Sequence, residues 1–82
     1  MENDSKETTV IRDILRKLRP GDLDEINKIS ASSDLFETNF FDSLLFLELL
    51  CEIEKTIGRE LEMSAIDSSN LSSIKMLSAL LL

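Results

Sequence analysis

Histidine, tryptophan and tyrosine are absent from this 82-residue chain, which has a single cysteine, a single proline and two glycines. Without histidine, the commonest general base and the commonest metal ligand are both missing. One cysteine permits no internal disulfide, and its isolation points to the cytoplasm. The N-terminus has no signal-peptide pattern. The longest apolar runs, around Leu44–Leu47 and Ala79–Leu82, fall far short of the roughly 20 residues that cross a bilayer. Membrane insertion is therefore not expected.

Positive charge is also scarce. Nine Lys and Arg face sixteen Asp and Glu, for a net charge of -7. Such a chain repels phosphate backbones, which argues against nucleic acid, and it repels anionic membranes as well. Partners with basic patches are favoured by long-range attraction. Solubility alone also accounts for the acidity.

Eighty-two residues suffice for one small domain, 1–82, whose core is marginal unless its helices pack regularly. Residues 1–8 are polar and expected to fray, although Asp4 and Glu7 have capping-box spacing. Val10, Ile11, Ile14, Leu15 and Leu18 recur at helical spacing, with Arg12, Asp13, Arg16 and Lys17 on the opposite face. Pro20-Gly21 ends this first helix. Residues 19–41 read as a long connection with too many apolar residues for a free linker, and Leu23–Ile29 can form a short turn.

Ser43–Ile57 is the strongest helical segment: it contains no Gly or Pro and is rich in Leu and Glu. Asp42 or Ser43 can cap its start, and Gly58 its end. A second connection spans 59–71, with one short turn expected over Met63–Ser68. Asn70, Ser72 or Ser73 caps a last helix carrying Ile74, Met76, Leu77, Leu80 and Leu81. No segment has a convincing strand period. The expected fold is all-α, a small bundle of three to four helices with a long first loop.

The stretch from Asp34 to Leu44 contains Asp34-Leu35-Phe36 and then Asp42-Ser43-Leu44 at the start of the long helix. It resembles the attachment motif of the phosphopantetheine-dependent acyl and aminoacyl carrier proteins. The resemblance continues through Glu48, Leu49, Leu50, Ile53, Glu54 and Gly58, and more weakly through Asn70–Ile74, from about residue 10 to the end. It implies an acyl-carrier-like fold with 4'-phosphopantetheine attached covalently to Ser43, and Asp42 assisting the transferase and its magnesium ion. The implied partners are a phosphopantetheinyl transferase, a ligase that loads an acyl or aminoacyl group, and a downstream transferase. The chain itself would be a monomer and not an enzyme, with no catalytic residue and no metal of its own.

Asn39 occupies a position where one branch of the family has Gly, and Asn best tolerates a left-handed backbone among the other residues. That spacing is similar to the stand-alone D-alanyl and other aminoacyl carriers.

A hydroxyl at a helix start is exposed and lies beside free backbone N–H groups that suit a phosphate. Asp42 and Ser43 can equally be read as a helix cap and nothing more. Along the long helix, Phe46, Leu49, Leu50, Ile53 and Ile57 form one stripe facing a core. Leu44, Leu47, Glu48, Cys51, Glu54 and Lys55 form another, which begins beside Ser43 and reads as a partner-docking face. Alternatively, the long loop folds back over Leu47 through Phe40 and Phe41. Cys51 reads as a small apolar residue in or near that interface, since Glu48, Glu52 and Glu54 oppose a reactive thiol. The acids at 34–37 and 60–62 lack a calcium-loop pattern and read as solvated charge. The competing function is an unmodified module of the same fold that binds partners through this apolar, acidic face.

Overall fold

The computed structural model describes residues 6–61, 66 and 71–81. Four α-helices follow in chain order: α1 (Lys6–Leu18), α2 (Leu23–Lys28), α3 (Ser43–Ile57) and α4 (Ile74–Ser78). Three short 3-10 turns, Pro20–Asp22, Leu35–Glu37 and Ala79–Leu81, fill in between and after them. The architecture is a small all-α bundle in which α1 packs on α2, α3 and α4. Asp4, most of the Met63–Ser68 turn and Asn70 lie outside the described residues.

In α1 the apolar repeat turns Ile11, Ile14 and Leu15 inward. Arg12 departs from the expected solvent face. It is 8% exposed, and its guanidinium donates a 2.8 Å hydrogen bond to the Ile26 carbonyl near the end of α2. Arg12 adjoins Ile11 on the helix, and α2 packs over that edge and covers it. A guanidinium rather than an alkyl chain fits there because the last carbonyls of a helix lack intrahelical donors. Leu18 is the last residue of α1, and Pro20 opens the next turn, where its missing N–H costs nothing.

The region between α1 and α3 is not one loop. Beyond α2, Asp34 accepts a 2.9 Å bond from the Phe36 N–H and starts the Leu35–Glu37 turn. Two backbone bonds tie this segment to the start of α4: Leu35 N–H to Ser72 C=O at 2.6 Å, and Lys75 N–H to Ala31 C=O at 2.8 Å. Ser73 caps α4 through its hydroxyl, which accepts from the Met76 N–H at 3.1 Å.

The core consists of Ile11, Leu15, Ile26, Leu35, Leu45, Leu49, Leu50, Ile53, Ile74 and Leu77, all essentially inaccessible. Each contributes roughly 1.5–3 kcal/mol over an exposed equivalent. No described helix is long and apolar enough to cross a membrane.

Candidate functional site

Helix α3 starts where the chain leaves a knot of aromatic rings. Phe41 is buried and meets Phe36 edge-on at 4.9 Å between centroids, with Phe40 at 6.3 Å and Phe46 at 6.4 Å. Phe36 and Phe46 close the group at 5.7 Å. Edge-to-face contacts of this kind orient rings as well as bury them. They hold the residues before Ser43 against the first turn of α3.

Asp42 then turns the chain into the helix. Its backbone is extended, its carboxylate accepts from the Leu45 N–H at 2.8 Å, and its carbonyl accepts from the Phe46 N–H at 2.9 Å. Asp42, not Ser43, is therefore the cap. Ser43 becomes the first helical residue, exposed to solvent. The N–H groups of a first helical turn have no intrahelical acceptor, and the positive end of the helix dipole lies there. A phosphate bonded to the Ser43 hydroxyl would sit in that field. The residues present thus fit a phosphate-linked group: an exposed hydroxyl, a helix of fifteen residues behind it and a rigid aromatic floor.

Asn39 does not adopt a left-handed backbone; among the described residues only Gly58 has positive φ, at 74°. The turn before Asp42 therefore needs neither Gly nor the special tolerance of Asn. At the far end of α3, Gly58 terminates the helix as expected, donating its N–H to the Glu54 carbonyl at 2.9 Å.

The inward stripe of α3 is Phe46, Leu49, Leu50 and Ile53, joined by Leu45, while Ile57 is only half-buried. On the outer side Leu44 is 61% and Leu47 53% exposed. The loop does not fold back over Leu47, because Phe41 is spent in the aromatic group and Phe40 packs on it. Cys51 is exposed on the same side. The charged members of the expected docking face are engaged within the chain. Glu48 pairs with Arg19 at 3.6 Å, Glu54 accepts from the Leu61 N–H at 2.7 Å, and Lys55 lies 3.5 Å from Glu52.

Lys17 is exposed, as its place on the polar side of α1 predicts, and Arg19 is half-buried just beyond the helix. Both reach across from the end of α1 to α3: Lys17 donates to Glu52 at 2.6 Å. This bond, with the ammonium charges of Lys17 and Lys55, holds the Glu52 carboxyl below the ordinary carboxylate range. The basic end of α1 and the acids of α3 are visible in the sequence; only the crossing of the two helices brings them together.

No group of three or more metal-ligating side chains occurs among the described residues. Asp34 is committed to its turn, and Glu62 lies outside the described residues. A hollow of about 620 Å³ opens between Lys6, Val10, Ile57, Arg59 and Leu81. It lies at the opposite end of α3 from Ser43, roughly 20 Å away by helical rise.

Residues 9–81 match the family model described as the phosphopantetheine attachment site. Comparison with curated proteins and with solved structures gave no match. The match spans nearly the whole chain and all four helices, so this protein belongs to the phosphopantetheine attachment-site family, a carrier domain that takes 4'-phosphopantetheine as a covalent group.

Proposed function

We propose that Ser43 is the attachment point, and that the chain carries an acyl or aminoacyl group as a thioester on the arm and presents it to successive enzymes. The observation that carries this reading is the exposed Ser43 hydroxyl at the first position of α3, with Asp42 capping the helix immediately before it. The family implies the group, and Ser43 offers what its attachment needs. In that reaction the Ser43 oxygen bonds to phosphorus, the pyrophosphate bond of coenzyme A breaks, and the nucleotide leaves with the other phosphate. The hydroxyl proton passes to a base on the transferase, since this chain has no histidine to accept it. Asp42 supports the transferase's magnesium ion with the carboxylate oxygen that does not cap Leu45.

The arm supplies a thiol, and the cargo rides on it as a thioester. The rings of Phe36, Phe41 and Phe46 occupy the space beneath the start of α3, which favours a small cargo such as an amino acid over a long chain. Partners are a phosphopantetheinyl transferase, a loading ligase and a downstream transferase, meeting the chain at the exposed face of Leu44, Leu47 and Cys51. The likeness of the Asn39 spacing to D-alanyl and aminoacyl carriers supports the same choice of cargo. The proposed setting is the cytoplasm, and the working unit a monomer.

Co-expression with a broad-specificity phosphopantetheinyl transferase, followed by intact mass measurement, tests the assignment. One phosphopantetheine is expected on the native chain and none on Ser43→Ala. A native chain that several active transferases leave unmodified would return the protein to the reading of an unmodified interaction module.

A further inference from the structure

Among the described residues, Arg12, Arg16, Lys17, Arg19 and Lys55 find acceptors within the chain. Lys6 and Arg59 form no such pair there; both are exposed, and both line one hollow of about 620 Å³. That hollow lies where the start of α1, the end of α3 and the Ala79–Leu81 turn come together. Its walls are Val10, Ile57, Leu80 and Leu81, each half-buried against the core. No aromatic ring lines it among the described residues, so it offers aliphatic surface beside two cations. Its size is within the roughly 300–1,000 Å³ of small-molecule sites.

We propose that this hollow is a binding site for a free medium-chain alkyl carboxylate, with the head at Lys6 and Arg59 and the tail across the aliphatic walls. The half-covered walls reward a flexible alkyl tail, because contact removes both surfaces from water. The Arg59 guanidinium can take a carboxylate through two N–H donors, and Lys6 adds a point charge. Thr56 and Glu7 are the other polar side chains of the lining, and no strand edge among the described residues adjoins them to take up peptide amides. A second copy of this chain, at a net charge of -7, is repelled. Glu7 works against an anion, and its removal gives the test a sign. The site lies at the other end of α3 from Ser43 and needs no attached arm.

Decanoate, held below its micelle concentration, is titrated into the nitrogen-15-labelled full chain carrying Ser43→Ala, so that no arm or thioester takes part. Amide shifts are expected at Val10, Ile57, Arg59 and Leu81 and not at Leu44–Leu47, with a Kd at or below about 1 mM. Octanoate, two methylenes shorter, should bind about fourfold more weakly, as for methylenes half removed from water. Lys6→Gln/Arg59→Gln should weaken decanoate binding about fivefold at low salt and less at high salt. Glu7→Gln should tighten it about twofold at low salt. Decyltrimethylammonium has a similar tail and a cationic head, and the acidity of the whole chain attracts it. At this hollow it should still bind about tenfold more weakly than decanoate. Far-UV circular dichroism checks that each variant is folded.

The inference is overturned if the shifts centre on Leu44–Leu47, or if decanoate produces no saturable shift. It is also overturned if decyltrimethylammonium binds beside Val10 and Ile57 as tightly as decanoate, or if the Lys6/Arg59 double variant binds decanoate like its parent. Vesicles of phosphatidylglycerol should not retain the chain; retention that depends on Lys6 and Arg59 overturns the free acid as the ligand.

Discussion

Replacing Phe41 tests whether the aromatic group positions the start of α3. Its side chain is 5% exposed and touches three other rings, the nearest at 4.9 Å edge-on. Phe-to-Ala changes in cores cost about 3–5 kcal/mol. Phe41 sits on a connecting segment that can partly collapse, so about 3 kcal/mol is expected. An 82-residue domain has a total stability of roughly 4–12 kcal/mol. The substitution would thus remove a large share of it and lower Tm by about 15 °C. Phe41→Leu keeps most of the buried apolar area and loses only the ring-edge contacts, so about 1–1.5 kcal/mol is expected. The chain has no Trp or Tyr, so urea and thermal unfolding are followed by far-UV circular dichroism. The site enters through a second readout, the rate of transfer to Ser43 at a temperature where both variants are folded. Phe41→Ala should slow it more than Phe41→Leu, because the rings hold the chain before Asp42. A cost below about 1 kcal/mol for Phe41→Ala would refute the reasoning, since the rings would then be touching without holding anything.

Asp42→Ala should cost about 1 kcal/mol in urea unfolding through loss of the cap on Leu45, while Asp42→Asn retains most of the stability. If Asp42 also supports the transferase's magnesium ion, Asp42→Asn should slow transfer even though it folds. Gly58→Ala should destabilise by about 1 kcal/mol in the same assay. Apart from the adjoining backbone, nothing lies within 4 Å of the added methyl carbon, so the cost is that of the 74° φ. Glu52 has its folded pKa lowered by Lys17, so its contribution is fully present above the unfolded carboxylate pKa. It is lost as pH falls through the lower folded value. Unfolding measured across acidic pH should show this loss in the native chain, and Glu52→Gln should flatten that part of the profile.

Much of α3 and its site could be read from local residue types. Asp42 before the segment, Gly58 after it and the absence of Gly and Pro between them mark both ends of the helix, because capping and propensity act within a few residues. The motif around Ser43 is likewise local. Arg12 is different. Its place on the polar side of α1 predicted exposure, and the end of α2 covered it instead, because a neighbouring helix can bury any residue on the edge of an apolar stripe. Asn39 shows the reverse error, a special backbone anticipated where ordinary negative φ suffices.

At Ser43, sequence alone determined the chemistry available: a hydroxyl beside a carboxylate, no histidine to activate it, and a phosphopantetheine-type motif around it. Tertiary structure decided what surrounds that hydroxyl. Ala31 and Leu35 bond to the backbone at Lys75 and Ser72, and the four rings pack together, leaving Leu44 and Leu47 uncovered. The end of α1 crosses α3 so that Lys17 and Arg19 meet its glutamates. Propensity and capping depend on near neighbours in the chain, whereas burial and charge pairing depend on which distant segments share the same space.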